Sequence, residues 1–324
     1  MSISKVVKKI KKFNSFLITT HITPDPDALG SAFGLWYLLK KLNKKAEIVI
    51  VDPIPKNYLF LLKDLDLKVH CRFPLDNFEC LIAVDASDLE RLGKIKETPA
   101  DIFIINIDHH ISNRNFGHIN WVEPKSSSCC EMIYKLYRRL NVVLDRTSAL
   151  LLYSGLIFDT GFFRYNNTSS FTHKLASKFL EYNLETDKLY RIFFGNFDKK
   201  EIEFLVKGLS KIKITNRIAY VVIRKNLYRR LSLNAMDYIL DFMRNIKDVE
   251  VVAIFKPSLN KKGEIRVNLR SQGKIDVNRI AQNFGGGGHP SASGFSLNLS
   301  TKKATKIVLK KIKEAFKNES IMGF

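Results

Sequence analysis

The chain has 324 residues, 45% of them hydrophobic, and 53 Lys+Arg against 32 Asp+Glu give a formal net charge of +21. That length suits two domains with sizeable cores. No run of about 18 apolar residues occurs, which argues against a membrane-spanning helix. The lysine-rich start, Met1 to Phe13, is not followed by an apolar core and a small-residue cleavage site, so a signal peptide is not expected.

The charge is uneven: residues 186–324 carry 28 basic and 12 acidic side chains. Such a surplus suits polyanionic partners, nucleotides or nucleic acid first. Genome-wide lysine enrichment accounts for it equally well. Of the four cysteines, Cys71, Cys80, Cys129 and Cys130, none forms a CxxC pair, and the adjacent two make a poor disulfide framework. A reducing cytoplasm is the expected compartment.

In chain order, Phe16 to Thr20 reads as a short apolar strand that runs into His21-Ile22-Thr23-Pro24-Asp25-Pro26-Asp27. The prolines disfavour helix before Asp27, and Ala28 to Leu42 is then helical. Asp27 as the cap of that helix would be the ordinary reading, but capping leaves His21 and Asp25 unexplained. Ala46 to Val51 is a second strand, followed by a helical stretch around Asn57 to Leu65. A third strand, Cys80 to Val84, ends in Asp85. A fourth, led by Ile102 to Ile105, ends in Ile107-Asp108-His109-His110. The alternation of strands and helices predicts a parallel, doubly wound α/β sheet. Its strand ends collect carboxylates and imidazoles along one edge, where such folds keep their sites.

Beyond the fourth strand, Ser128 and Glu131 fit a capping box, and the hydroxyls of Ser126 to Ser128 are also candidates for a phosphate. Helices follow over Cys129 to Leu140, Asp145 to Phe158 and Ser170 to Tyr182. The apolar run before Asp159 makes it a further candidate ligand, with Arg164 five residues on. Residues 186–210 read as a charged helical linker between a first domain, 1–185, and a second, 211–324. The second alternates strand (Ile218 to Ile223), helix (Asn234 to Ile246) and two strands (Val249 to Phe255, Glu264 to Leu269) that lead into Arg270-Ser271. A short helix, Asp276 to Phe284, precedes Gly285-Gly286-Gly287-Gly288-His289. Four glycines fit either a flexible linker or a loop whose bare backbone amides approach an anion. A lysine-rich amphipathic helix, Thr301 to Lys317, ends the pattern.

Oxygen-rich sites with some imidazole favour Mn²⁺ or Mg²⁺. So many ligands suit two ions bridged by a carboxylate, typically about 3.5–4 Å apart, which activate water for in-line displacement at phosphorus. No P-loop signature is present.

The segments HITPDPDALGS, VDASD, IDHH, DTGFFRYNNTSSFT and GGGGHPSASG, in this order, resemble the DHH phosphoesterase family with its DHH-associated C-terminal domain. The likeness spans essentially the whole chain and is strongest to the stand-alone nanoRNase/pAp-phosphatase branch, which includes cyclic-di-AMP and pApA phosphodiesterases. It implies one Mn²⁺ on His21, Asp25 and Asp85. A second would lie on Asp27, Asp85, His109 and Asp159, with Asp85 bridging and Mg²⁺ as the other candidate metal. It further implies Asp108 as an orienting group and His110 at the scissile phosphate. Arg270, Ser271, Gly286, Gly287, Gly288 and His289 would grip the rest of the substrate, with Arg164 as an added phosphate contact. An active-site cleft between the domains, short RNA or nucleotide substrates and a homodimer complete the expectation. Cyclic-di-AMP hydrolysis is the alternative activity. A family II pyrophosphatase would lack the GGGGH loop, and a RecJ-like exonuclease would need a further binding domain. A nucleic-acid-binding module without catalysis would have no use for six converging ligands.

Overall fold

The computed structural model describes residues 2–72, 78–93, 102–195, 197–225, 233–258 and 261–322. The chain divides into two compact units, Met1–Phe193 and Phe194–Phe324.

The first unit is built on a six-stranded parallel sheet. Helix α1 (Ser2–Lys12) leads into β1 (Ser15–Thr19), α2 (Pro26–Lys41), β2 (Lys45–Val49), a 3₁₀ segment (Lys56–Leu62) and β3 (Val69–His70). The sheet is completed by β4 (Cys80–Val84), β5 (Phe103–Asp108) and β6 (Ile119–Val122). Strand order is β3-β2-β1-β4-β5-β6, and every pairing is parallel. The order reverses between β1 and β4. That is the topological switch point at which open parallel sheets leave a crevice beyond their carboxyl ends. His21 follows β1 and Asp85 follows β4, so the two residues flank that point. β4 is buried along its whole length, as a strand covered on both faces should be.

Four helices follow in this unit: α3 (Cys129–Arg139), α4 (Arg146–Asp159), α5 (Ser170–Leu180) and α6 (Thr186–Phe194), the last ending at the division between the units. Helix α2 lies against α4 at glycines. A Cβ on Gly155 would stand 2.5 Å from Asp27 Oδ1 and 2.8 Å from Asp27 Cα, so only a bare backbone lets α4 pass this close to the start of α2. Helix α4 ends at Asp159 with two closing bonds, Gly161 N–H to Phe158 O and Phe162 N–H to Ile157 O, while Gly161 adopts φ +55°. This left-handed stop fixes where Asp159 leaves the helix.

The second unit starts with α7 (Lys199–Leu209), then β7 (Lys213–Thr215), β8 (Ile218–Val222), α8 (Leu233–Arg244), β9 (Val251–Pro257) and β10 (Ile265–Ser271). It closes with α9 (Val277–Gln282), β11 (Gly287–His289), β12 (Ala292–Leu297) and α10 (Thr301–Met322). Its sheet, ordered β11-β12-β10-β9-β8-β7, is mixed: β8 and β9 are parallel and the other pairs antiparallel. One core joins Val251, Ala253 and Phe255 to Ala304, Val308 and Ile312 of α10; another joins Val252 and Ile254 to Ala235, Ile239 and Met243 of α8.

Several elements differ from the sequence reading. Strands β3 and β6 are too short for a periodic signal. Helix α2 starts at Pro26, a residue suited to the first turn because its missing N–H has no intrahelical partner there. Its cap is Asp25 rather than Asp27: Asp25 Oδ1 accepts from the amides of Asp27 and Ala28 at 2.9 and 3.0 Å. In place of a helix around Asn57 to Leu65 there is a 3₁₀ segment over Lys56–Leu62. The glycine run is neither linker nor open loop, because Gly287–His289 pairs with β12 as a hairpin. Gly288, at φ +143°, lies so close to Ser293 that a Cβ would come within 2.8 Å of its Cα.

Candidate metal centre

Three parallel strands and one helix end deliver the site. His21 follows β1, Asp85 follows β4, and Asp108, His109 and His110 close β5, while Asp159 is the last residue of α4. Asp25 and Asp27 come from the cap and first turn of α2. Each is placed by a separate local device.

His21 sets Nδ1 against the carbonyl of Ile22 at 2.7 Å and turns Nε2 toward Asp85 Oδ2 at 3.4 Å and Asp25 Oδ2 at 3.8 Å. Asp25 divides its oxygens, Oδ1 capping α2 and Oδ2 facing His21. Asp27 is fully buried and accepts from the N-terminal amides of α3, Cys129 N–H at 2.6 Å and Cys130 N–H at 2.9 Å. The positive end of that helix thus offsets a carboxylate that has left water. His109 Nε2 faces Asp159 Oδ2 at 3.1 Å, Asp85 Oδ1 at 3.5 Å and Asp27 Oδ2 at 3.8 Å, while its Nδ1 lies 3.3 Å from the carbonyl of Ser126.

Asp85 sits between the two groups with Oδ2 toward His21 and Oδ1 toward His109. Its backbone is left-handed, φ +55°, a conformation aspartate tolerates better than most residues. It turns the side chain across the sheet edge. Asp108 plays a different part: Oδ1 accepts from the His109 amide at 2.9 Å and lies 2.7 Å from His110 Nδ1, and Oδ2 accepts from Asn113 Nδ2 at 2.6 Å.

The electrostatics follow from crowding. Burial and the neighbouring charges of Asp85 and Asp159 push Asp25 up to about 6, although His21 pulls the other way. Burial, with Asp159 and Asp85, holds Asp27 well above the usual carboxylate range. Burial opposes the ionised form of Asp85 too, but the imidazoles of His109 and His21 beside it win and hold it well below that range. His109 is raised well above an ordinary histidine: burial disfavours its charge, yet the carboxylates of Asp159 and Asp85 outweigh it.

Among the groups whose ligand atoms lie close enough for one ion are two triads that share no residue, His21, Asp25 and Asp85, and Asp27, His109 and Asp159; Asp85, Asp108 and His110 form another beside them. Asp85 Oδ1 is buried without any hydrogen bond, an uncommon and costly state that a cation would relieve. A hard-oxygen set with imidazoles fits a divalent ion of the Mn²⁺ or Mg²⁺ type. The residues therefore fit a metal.

The second unit holds the other candidates. Arg270 is half-buried, with Nη1 donating to Leu269 O at 3.0 Å, on the face of β10 opposite Val267 and Leu269. Ser271 is buried. Its hydroxyl donates to Glu250 at 3.1 Å and accepts from the Gly273 amide, so it anchors the 271–275 loop. His289 ends β11. In the first unit, Arg164 Nε donates to Gly161 O at 2.7 Å, and its guanidinium lies 5.9 Å from the Tyr165 ring.

The serine hydroxyls also differ from expectation. Ser126 Oγ donates to Glu123, Ser127 Oγ to Glu131, and Ser128 Oγ caps α3, so all three are spent inside the protein. The capping box is only half formed, since Glu131 reaches Ser127 rather than Ser128. Sequence reasoning overlooked Asn113, Asn106 and Asn167. Asn167 Nδ2 donates to both Ser127 O and Asp159 O, a tie between segments that no local pattern announces.

Residues 15–156 match the DHH family N-terminal domain and residues 215–318 the DHHA1 domain. The chain is 31% identical to the bifunctional oligoribonuclease and PAP phosphatase NrnA of Thermus thermophilus, over 96% of this chain and 93% of that one. The chain belongs to the DHH family. It is therefore a hydrolase acting on phosphoester bonds. The NrnA protein of Bacillus subtilis is 27% identical over 91% of this chain and 93% of its own length. Among solved structures, an exopolyphosphatase-related protein from Bacteroides fragilis shares the fold with a TM-score of 0.86 at 22% identity, covering 98% of this DHH chain and 97% of that one. No helix among the described residues is long and apolar enough to cross a membrane.

Proposed function

We propose that this DHH protein is a two-metal phosphoesterase that hydrolyses short nucleotides, taking oligoribonucleotides of a few residues to mononucleotides and pAp to AMP. The observation that carries the reading is Asp85, with one carboxylate oxygen facing each triad and no hydrogen bond on the buried Oδ1. One Mn²⁺ belongs on His21, Asp25 and Asp85, and the other on Asp27, Asp85, His109 and Asp159. Bound there, such a pair supplies the Lewis acidity that activates water and neutralises charge developing on the phosphoryl oxygens.

The chain's own groups do the rest. His110 is assigned to the leaving oxygen: Asp108 Oδ1 accepts from its Nδ1 and fixes the ring's orientation, which leaves Nε2 to give the leaving oxygen its proton. Asn113 and the His109 amide hold Asp108 in turn. Arg270, His289 and the glycine hairpin of Gly286, Gly287 and Gly288 are assigned to the non-reacting phosphate and base, with Ser271 acting through the loop it anchors. Arg164 adds a phosphate contact. The substrate class rests on relatives named as oligoribonucleases and PAP phosphatases. A homodimer and a cytoplasmic location belong to the same reading.

The test is side-by-side hydrolysis of pAp, pApA, short RNA and cyclic-di-AMP in Mn²⁺, with chelator controls and metal analysis of the purified protein. Chelator-sensitive turnover fastest on pApA, short RNA and pAp is expected. Fastest turnover of cyclic-di-AMP would replace the substrate assignment with termination of a second-messenger signal. No chelator-sensitive activity would overturn the metal assignment.

A further inference from the structure

The segment from Glu123 to Cys130 touches three site residues from behind and reaches a fourth through Asn167. The Glu123 amide donates to Asp108 O at 3.0 Å, and the Ser126 carbonyl faces His109 Nδ1 at 3.3 Å. The Ser127 carbonyl is tied through Asn167 to the backbone of Asp159, and the Cys129 and Cys130 amides hold Asp27. Most of this segment is irregular chain, and no sheet or helix ladder fixes its first half. What fixes it is ionic. Lys135, nearly two turns into α3, reaches back with Nζ 2.7 Å from Glu123 Oε2, 2.8 Å from Ser126 Oγ and 3.0 Å from Glu131 Oε1. Glu123 also accepts from Trp121 Nε1 and Ser126 Oγ, and Glu131 from the amide and hydroxyl of Ser127. The Phe171 ring lies 5.7 Å from the ammonium.

We infer that Lys135 is a positioning residue of the metal centre, holding the Glu123–Ser127 turn so that the Ser126 carbonyl orients His109 and the turn braces Asp108 and Asp159. The inference rests on the metal reading above and extends it to residues outside any ligand set. The physical reason is a charge count. Lys135 is the only cation ion-paired with Glu123 and Glu131 among the described residues, and Glu131 is buried at 4% exposure. Without Lys135, two half-enclosed carboxylates face the same turn with no counter-charge, and removing one partner of such a group is far costlier than never having built it. The turn would then move to rehydrate Glu131. A metal-bound imidazole depends on the partner of its other ring nitrogen for orientation and basicity, and losing such partners typically weakens metal binding about 10–100-fold.

The experiment is Mn²⁺ titration of metal-free protein, with free ion read from its EPR signal, for wild type, Lys135→Met, Lys135→Arg and Ser126→Ala. Far-UV circular dichroism and thermal melting of the metal-free forms accompany it. Lys135→Met is expected to stay folded and to bind Mn²⁺ about 10–100-fold more weakly, with Lys135→Arg recovering most of the loss. Unchanged affinity in folded Lys135→Met would overturn the inference. If that variant does not fold, Ser126→Ala decides, since it removes only the hydroxyl gripped by Lys135 and Glu123: weaker Mn²⁺ binding supports the inference and wild-type affinity overturns it. Wild-type protein that takes up no Mn²⁺ would sink the metal reading itself, an outcome distinct from wild-type uptake with indifferent variants.

Discussion

Gly155→Ala is the sharpest test of how the ligands are held. The added methyl would sit 2.5 Å from Asp27 Oδ1 and 2.8 Å from Asp27 Cα, both inside contact distance, with Cys130 Sγ equally close. Overpacking of this kind costs about 1–3 kcal/mol. Alanine in mid-helix returns about 1 kcal/mol relative to glycine. Net stability should therefore fall by no more than about 2 kcal/mol, and the variant should fold. Metal binding should suffer more. Asp27 is held by the Cys129 and Cys130 amides at ordinary hydrogen-bond length and has no slack to retreat. A shift of several tenths of an ångström would take it off the position proposed for a ligand, so Mn²⁺ affinity should drop at least as far as loss of an outer-sphere partner would cause, about 10–100-fold, and turnover with it. Urea unfolding, Mn²⁺ titration and pAp hydrolysis measure the three quantities. Gly34→Ala on the same helix pair is the control, because its Cβ would meet only the movable end of the Leu152 side chain. A folded Gly155→Ala protein with wild-type Mn²⁺ affinity would refute the argument.

Other consequences can be checked in parallel. Asp85→Asn, which tolerates the left-handed backbone at φ +55°, should abolish hydrolysis in a protein that still melts cooperatively; appreciable turnover would remove Asp85 from the bridging position. His289→Ala should raise KM while largely sparing kcat, and the opposite split would contradict a binding role. Chelation should lower the melting temperature and Mn²⁺ should restore it, since an ion that binds only the folded state stabilises by mass action; an indifferent Tm would mean the cluster is not a metal site. Asp145→Ala should cost about 1 kcal/mol through loss of the α4 cap and leave hydrolysis intact. Burial resists the ionised form of Asp145, but Lys41 and the Ser148 bonds hold it below the usual carboxylate range. Its stabilisation is therefore present above the unfolded-state value and lost as pH falls through the lowered folded one. Asp145→Asn should flatten the acid limb of a stability–pH profile.

The carboxylate–imidazole cluster was legible because most of its members sit at the end of an apolar run, and runs are what a sequence displays. His21, Asp85 and His109 could be placed on one sheet edge from strand periodicity alone. The supporting groups could not. Lys135 finds Glu123 twelve positions back and Asn167 finds Ser127 forty positions away, pairings that exist only after the chain has folded. The sequence points to Asp27 as the α2 cap, but the extended backbone at Asp25 and its bonds to the Asp27 and Ala28 amides make Asp25 the cap. The pairing of the glycine run with β12 and of Ser271 with Glu250 is equally invisible in the sequence, because those neighbours lie elsewhere in the chain. Local pattern gave the chemistry, and long-range packing gave its supports.

The two thiols behind Asp27 make a clock for the whole arrangement. Cys129 and Cys130 have no exposure, and burial with the nearby Asp27 carboxylate pushes both well above an ordinary thiol, whereas Cys71 is exposed. Thiolate is the reactive form, so an alkylating reagent should consume Cys71 at once and reach the inner pair only when the start of α3 lifts away from the first turn of α2. The rate at which those two sulfurs react is then the rate at which this wall of the site opens, readable by mass spectrometry without any substrate at all.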